Sequence, residues 1–522
     1  MNRDRMLEQI DREFDVLIIG GGATGLGCAV DASSRGYRTL LLEAHDFAKA
    51  TSSRSTKLAH GGVRYLQQGN VSLVLEALRE RGLMCQNAPH LVHDLPFIVP
   101  QYKWWEGPFY GIGLKMYDAL AGKRNIAPSK HLSKDETVKE IPNVETEHLL
   151  GGTRYHDGQF DDARMAVALA RTAADHGGVL LNNFRVTGLT SDSGHVNGVE
   201  ATDVETGESH VIKAKVVINA TGIFSDEVRK MDDQDVEPMV SPSQGVHLVL
   251  DKSFQPSDTA IMVPHTDDGR VLFVIPWHDR VLVGTTDTPM DNADLEPRAL
   301  PDEIDFILRN ANRYLSRDPE RSDVLAVFAG QRPLVHEGGS VNSNSKKISR
   351  EHVVLVSKSG LVTIVGGKWT TYRKMAEDTI NDVAGVGGLE EAKCVTENLQ
   401  LHGYLDRDAP DFPEEGWLQM YGADYKAVLE MAGENPDWSR KLHEDLPYQE
   451  VCVIWAVRNE MARSVEDVLA RRTRSILMNA RASIEIAPRV AELMAEELGL
   501  PEQWQKDQVA QYTEQASGYV LD

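Results

Sequence analysis

The sequence predicts an α/β chain with a Rossmann-like unit at its start, a second, β-rich domain, and a helical domain at its C-terminal end. Three observations carry this reading. A buried-strand run leads into glycines spaced G-x-G-x-x-G and then a second apolar strand. Short strands joined by turn residues fill 240–290, and strand patterns vanish after about residue 390. A chain of 522 residues holds two to four domains at about 150 residues each. With 41% hydrophobic and 26% charged residues it has the composition of a globular protein, not a disordered one.

Taken in order, DVLIIG is the first strand, GGATGLGCAVDASSRG the helix with small residues at helical spacing, and TLLLEA the second strand, a βαβ unit. The polar stretch ATSSRSTKLAHGGVRYLQQGNVSLVLEALRERG ends in an amphipathic helix. PQYKWWEGPFYGIG and the charged residues to about 150 read as a peripheral insertion. Within it Trp104, Trp105 and Tyr110 form an aromatic patch, which either packs under a loop or rests in a membrane interface. Strand patterns return in VLLNNFRVTGLTSD, HVNGVEATDVETGESHVIKA and KVVINATG. The short strands HLVL, AIMVP, VLFVIPW and VLVGTTD read as an antiparallel meander. HVVLVS and LVTIVGGK make a hairpin around Lys358-Ser359-Gly360, followed by the helix TTYRKMAEDTINDVAG. The remainder, with VCVIWAVRNEMARSVEDVLARRTRSILMN and IAPRVAELMAEELGL, is helical.

A net charge of −24 repels phosphate backbones, so nucleic acid is not an expected partner. Cys28, Cys85, Cys394 and Cys452 form no CxxC pair, which argues against a disulfide scaffold and a zinc site, and no metal is expected. The first fifteen residues carry three arginines against five acids, unlike a signal peptide, and the most apolar run, residues 16–30, is too short to span a bilayer. These features suit a cytoplasmic protein. Residues 451–489 hold seven arginines against four acids, a local basic excess that could meet anionic headgroups or pair within the protein.

Gly20 permits the tight turn, Gly22 lets the backbone approach a pyrophosphate, and Gly25 lets helix and sheet pack closely. Glu43 ends the second strand, where an acid accepts hydrogen bonds from a ribose and disfavours a 2′-phosphate. NADP is excluded, and NAD and FAD remain.

The stretches IGGGATGLGCAVDASSRG, ATSSRSTKLAHGGVRYL and GGKWTTYRKMA, with NATG at 219–222, IPW and GTTD within 275–287 and GQRPL at 330–334, resemble the FAD-dependent glycerol-3-phosphate dehydrogenases over about residues 14–385. The resemblance implies the glycine-oxidase-like flavoprotein fold with non-covalent FAD. The FAD-binding domain would be discontinuous (14–90, 151–225, 346–390), with a substrate cap (91–150, 226–345) and a C-terminal helical domain (391–522). No calcium-binding helix–loop–helix extension follows, which suits the bacterial form of the family. The implied reaction oxidises glycerol 3-phosphate to dihydroxyacetone phosphate and passes electrons to a quinone, with peripheral association at the inner face of the cell membrane. A glycerol-3-phosphate oxidase using O₂ is the alternative, and a homodimer is compatible with the chain. A flavin-binding protein acting on tRNA, or one with a structural role only, is the rival of another class.

Site residues follow by position. Gly366-Gly367-Lys368 would lie against the flavin at a helix start, with Thr370 at the ring or as the helix cap. His247, in QGVHLVL, is the preferred general base, and His60, in the HGG turn, is its competitor. A dianionic phosphate calls for bidentate arginine; the resemblance offers Arg64, Arg332 and Arg350, with Tyr65 beside Arg64. Thr51, Ser52 and Ser53 are hydrogen-bond donors to flavin or phosphate, or a helix cap. Val186, Ala220 and Gly222 would flank the adenine and pyrophosphate through their backbone.

Overall fold

In the computed structural model, which describes residues 1–62, 70–335 and 352–521, the apolar run Phe14–Ile19 sits mid-way in a parallel sheet. Thr39–Leu42 and Val179–Leu181 lie on one side of it, Ser209–Asn219 and Val362–Gly366 on the other, all parallel, with His352–Val356 antiparallel at the edge. Helices cover this sheet, which is why its strands read as unbroken apolar runs instead of alternating ones. The helix Ala23–Ser34 runs back from Phe14–Ile19 and packs against Asp162–Asp175 and Tyr372–Val386.

The second sheet is the meander, enlarged. Val240–Asp251 pairs antiparallel with Val324–Val335 along nearly its whole length, which sets His247 opposite Phe328 and Ser243 opposite Arg332. Arg280–Gly284, Leu272–Trp277 and Ala260–Val263 follow antiparallel, and Ala260–Val263 joins Val92–Gln101 in parallel. One boundary moves. Gly151–Phe160, read above with the FAD-binding segments, pairs with Val92–Gln101 at ten successive positions in this second sheet, as does Leu58–Ala59 with Gly151–Phe160. The cofactor-side segment therefore re-enters the first sheet only after Phe160.

From residue 390 onward the described residues form helices, with a single isolated bridge between Lys441 and Gln449. Val451–Glu460, Ala480–Leu498 and Glu502–Ser517 share one apolar core with Phe97, Tyr155, Trp277 and Leu282 of the second sheet. Six of the seven arginines of 451–489 form ion pairs, the second of the two readings above. Arg463 meets Glu205, Arg471 and Arg472 meet Asp46, Arg474 meets Asp161, Arg458 meets Glu497 and Arg489 meets Glu450. The last described residues return to the body: Tyr519 accepts a hydrogen bond from Val327 N–H at 2.9 Å, and its hydroxyl reaches Glu296 and Arg54.

The aromatic patch resolves into one helix, Glu106–Ala121, with two opposed stripes. Tyr110, Leu114, Tyr117 and Ala121 are buried, so Tyr110 belongs to the core and not to a surface patch. Trp105, Phe109, Ile112 and Met116, at the same spacing, face solvent, and Trp104 before them is 82% exposed.

Candidate active site

A cavity of about 720 Å³ runs from the glycine turn at Gly20 and Gly22 past Gly366 and Gly367 to His247 and Arg332. Gly25 stands behind its first end: a Cβ there would lie 1.9 Å from the Gly20 carbonyl oxygen, so only glycine lets the helix approach. At the helix start the Ser52 hydroxyl accepts from Ala23 N–H at 2.9 Å, and Ser52 also lines the cavity. Glu43 accepts from Gly21 N–H at 2.6 Å and His45 N–H at 2.9 Å, and burial pushes its carboxyl above the usual range. His45 beside it is pulled down to about 4 by burial and then by Arg185 and Lys49. Val186, Ala220 and Gly222 line the same stretch.

At the other end, Gly366 and Gly367 both take left-handed φ angles, 84° and 72°, which turns the chain at the end of Val362–Gly366. A single 3₁₀ turn, Trp369–Thr371, follows, and the regular helix starts at Tyr372. Thr370 therefore lies inside the turn, buried and facing the cavity, and is not the cap. Trp369 donates to the Ser52 carbonyl at 2.8 Å, tying this turn to the first one. Lys368 lines the cavity between them.

His247 is 2% exposed, its ring stacked on Phe328 at 5.0 Å and 14°. Nε2 lies 2.9 Å from the Thr56 hydroxyl. Burial, then the charges of Arg332 and Lys57, hold the imidazole well below the ordinary histidine range, so it is neutral at pH 7. The guanidinium of Arg332 donates to the Thr286 carbonyl at 3.1 Å and lies 3.4 Å from Asp287. Gly245 makes room for it: a Cβ there would be 2.4 Å from Arg332 Nη2. His60 also lines the cavity. The turn behind it is fixed where Gly61 N–H donates to the Tyr117 hydroxyl at 2.8 Å, which in turn donates to Asp157, the ion-pair partner of Arg81.

Thr51 lines the wall and donates to the Gln331 carbonyl at 2.7 Å. Ser53 is not among the lining residues; it lies buried behind the wall, where its carbonyl accepts from Lys57. Arg64, Tyr65 and Arg350 lie outside the described residues.

Sequence reasoning missed two wall residues, Arg54 and Thr56, and the buried Lys57 behind them. Lys57 is fully buried, with its ammonium 2.6 and 2.7 Å from the Asp162 carboxylate and within 5.6 Å of the Trp277 and Phe328 ring centres. A lysine opening the apolar LAHGG stretch was the available signal. Arg54 donates to the Leu295 carbonyl at 2.7 Å and to Glu296 at 2.6 Å. Thr56 stands between Ser55 and Lys57, both anchored on Asp162.

A long cavity with an acid and a helix N-terminus at one end and a neutral histidine, a lysine and an arginine at the other fits a flavin dinucleotide. Its phosphates would rest at Gly20–Gly22 and its ring at Gly366-Gly367-Lys368.

Comparison with known proteins gives the same reading. Residues 15–373 match the model of the FAD dependent oxidoreductases, and residues 362–508 match the C-terminal domain of alpha-glycerophosphate oxidase. The mitochondrial glycerol-3-phosphate dehydrogenase of Rattus norvegicus is 43% identical over 528 residues, covering 95% of this chain and 72% of that protein. The Schizosaccharomyces pombe protein of the same name is 37% identical over 582 residues, covering 99% and 89%. The glycerol-3-phosphate dehydrogenase of Bacillus halodurans, solved with FAD, superposes with a TM-score of 0.81 at 31% identity, covering 99% of this chain and 97% of that one. Glycine oxidase from Geobacillus kaustophilus, with a TM-score of 0.53 at 20% identity over 74% of this chain and 98% of that one, shares the fold alone. FAD is thus the cofactor of this cavity, and the chain belongs to the FAD-dependent glycerol-3-phosphate dehydrogenase family.

Proposed function

We propose that the protein oxidises glycerol 3-phosphate to dihydroxyacetone phosphate and hands the electrons to a quinone. The observation that carries this reading is the placement of Arg332 and neutral His247 on one wall, beside the Gly366-Gly367-Lys368 turn. FAD, when bound, supplies the two-electron oxidant that takes the hydride from C2. Arg332, with Arg64, Tyr65 and Arg350, grips the substrate and its phosphate. His247, with His60 as the competing base, receives the proton of the C2 hydroxyl, and the Lys368 ammonium supports negative charge near the ring.

The acceptor is tested by running the holoenzyme on glycerol 3-phosphate in air and, separately, under argon with a soluble quinone. Quinone reduction with little peroxide is the expected outcome. Near-stoichiometric peroxide with no quinone reduction would instead identify an oxidase.

A quinone acceptor dissolved in lipid calls for contact with a membrane. No helix among the described residues is long and apolar enough to cross one. The outward stripe Trp105, Phe109, Ile112 and Met116, with Trp104 and the exposed Lys103, Lys115, Lys123 and Arg124 around it, has the composition of an interfacial helix meeting an anionic surface. Phe109→Glu with Ile112→Glu is expected to abolish sedimentation with anionic vesicles while leaving activity on soluble quinone intact. Unchanged sedimentation would move the contact elsewhere.

A further inference from the structure

His247 lines the cavity but is only 2% exposed, and its ring is hemmed in. Its Nδ1 is buried and has no hydrogen-bond partner, Phe328 covers one ring face, and the Gly284 backbone abuts the Cδ2 edge, where a Cβ would lie 2.3 Å away. Nε2 is engaged by Thr56 Oγ1 at 2.9 Å. Thr56 itself lines the cavity and is less buried than the histidine. Its backbone is held on both sides by the buried carboxylate of Asp162, which accepts from the Ser55 hydroxyl at 2.7 Å and from Lys57 Nζ at 2.6 Å. A hydroxyl fixed this firmly between a neutral imidazole and a substrate cavity is placed to pass a proton.

We propose that Thr56 is a catalytic residue: the substrate hydroxyl delivers its proton to Thr56 Oγ1 while Thr56 gives its own proton to His247 Nε2. This rests on the glycerol 3-phosphate reading above. The balance is that of an alcohol oxidation. The C2–H bond breaks and its electron pair leaves with the hydrogen to the flavin, the oxidant. The O–H electrons become the second C–O bond, and the proton ends on His247, which becomes an imidazolium. The relay requires the tautomer with hydrogen on Nδ1, so that Nε2 accepts from the threonine. It divides the work between two residues, a hydroxyl that takes the substrate's proton and a more deeply buried imidazole that stores one.

The test is anaerobic flavin bleaching by glycerol 3-phosphate in the holoenzyme, followed by stopped flow. Thr56→Val is expected to slow the limiting rate about 10²-fold or more, the range of a lost acid–base function, and Thr56→Ser to recover most of it. FAD content and the competitive inhibition constant of inorganic phosphate should stay at wild-type values in both. In mixtures of H₂O and D₂O the wild-type rate should bow downward, as two protons in flight require. A wild-type rate in Thr56→Val, or a loss matched by loss of FAD or phosphate affinity, would overturn the relay. So would a linear isotope plot in the wild-type protein, a result available even where the valine variant does not fold. If glycerol 3-phosphate does not bleach the wild-type flavin at all, the substrate reading itself fails, an outcome distinct from each of these.

Discussion

Arg332→Ala is expected to lower kcat/KM for glycerol 3-phosphate on the order of 10² or more, because hydrogen bonds to charged groups contribute about 1.5–3 kcal/mol each and a guanidinium makes at least two. Arg332→Lys keeps the charge but not the fork and should recover only part of the loss. FAD content should not change, since the cofactor's phosphates would be held by the Gly20–Gly22 turn and not by Arg332. The trace activity on glycerol, which has no phosphate, should be barely altered. The structure adds a variant that leaves the arginine in place. Gly245→Ala would push on Arg332 Nη2, the end of a flexible side chain, so the fold should tolerate it while the guanidinium moves out of position. It should lower kcat/KM in the same direction as Arg332→Ala. If Arg332→Ala lowered activity on glycerol and on glycerol 3-phosphate equally, the arginine would be acting on the flavin or the fold, and Arg64 with Arg350 would inherit the phosphate.

The largest expected effect on stability is at Asp46. Its carboxylate, 2% exposed, accepts from Arg471 Nε at 2.5 Å and from Arg472 Nη1 and Nη2 at 2.7 and 2.8 Å. Both arginines are 1% exposed, and they hold the Asp46 carboxyl down to about 2. Asp46→Ala leaves two buried guanidinium groups short of a carboxylate. Removing one partner of a buried pair typically destabilises by about 3–5 kcal/mol. Against a total of about 5–15 kcal/mol, that is a large share. Asp46 also lies in the loop that carries Lys49, Thr51 and Ser52 along the cavity, so FAD should be lost together with stability. Denaturant unfolding with FAD quantitation checks both, and an unchanged midpoint would show that Glu460, Glu466 and Asp467 alone neutralise the arginines.

The parallel sheet and the glycine turn were legible because their signals are local: unbroken apolar runs, a glycine spacing, and an acid at a fixed distance. Arg332 and the Gly366-Gly367-Lys368 turn were legible through family motifs. Gly151–Phe160 was placed in the FAD-binding domain and not read as a strand of the second sheet, because GGTRYHDGQF shows neither an alternating nor a continuous apolar pattern and its partner Val92–Gln101 lies some sixty residues earlier. The arginines of 451–489 could not be assigned between headgroups and internal pairs because several of their acids, Asp46, Asp161 and Glu205, are hundreds of residues away in the chain. Lys57 escaped for the same reason: what makes its burial tolerable is Asp162, which no window around Lys57 contains. The outward stripe of Glu106–Ala121 was different. Its helical spacing is present in the sequence, but the glycines and prolines around it masked the period, and only the fold shows which of its two apolar faces is left outside.

The return of Tyr519 to the body bears on the order in which the protein is made. The N-terminal fingerprint leaves the ribosome early, and segments of a growing chain fold as they emerge. Yet the wall that carries Arg54 and Leu295 is braced by Glu296 and Tyr519, and the loop around Asp46 by Arg471 and Arg472. A nascent chain that has exposed only its glycine turn therefore holds a half-built receptacle. Completion of this wall waits on residues translated some five hundred codons after the motif that announces it.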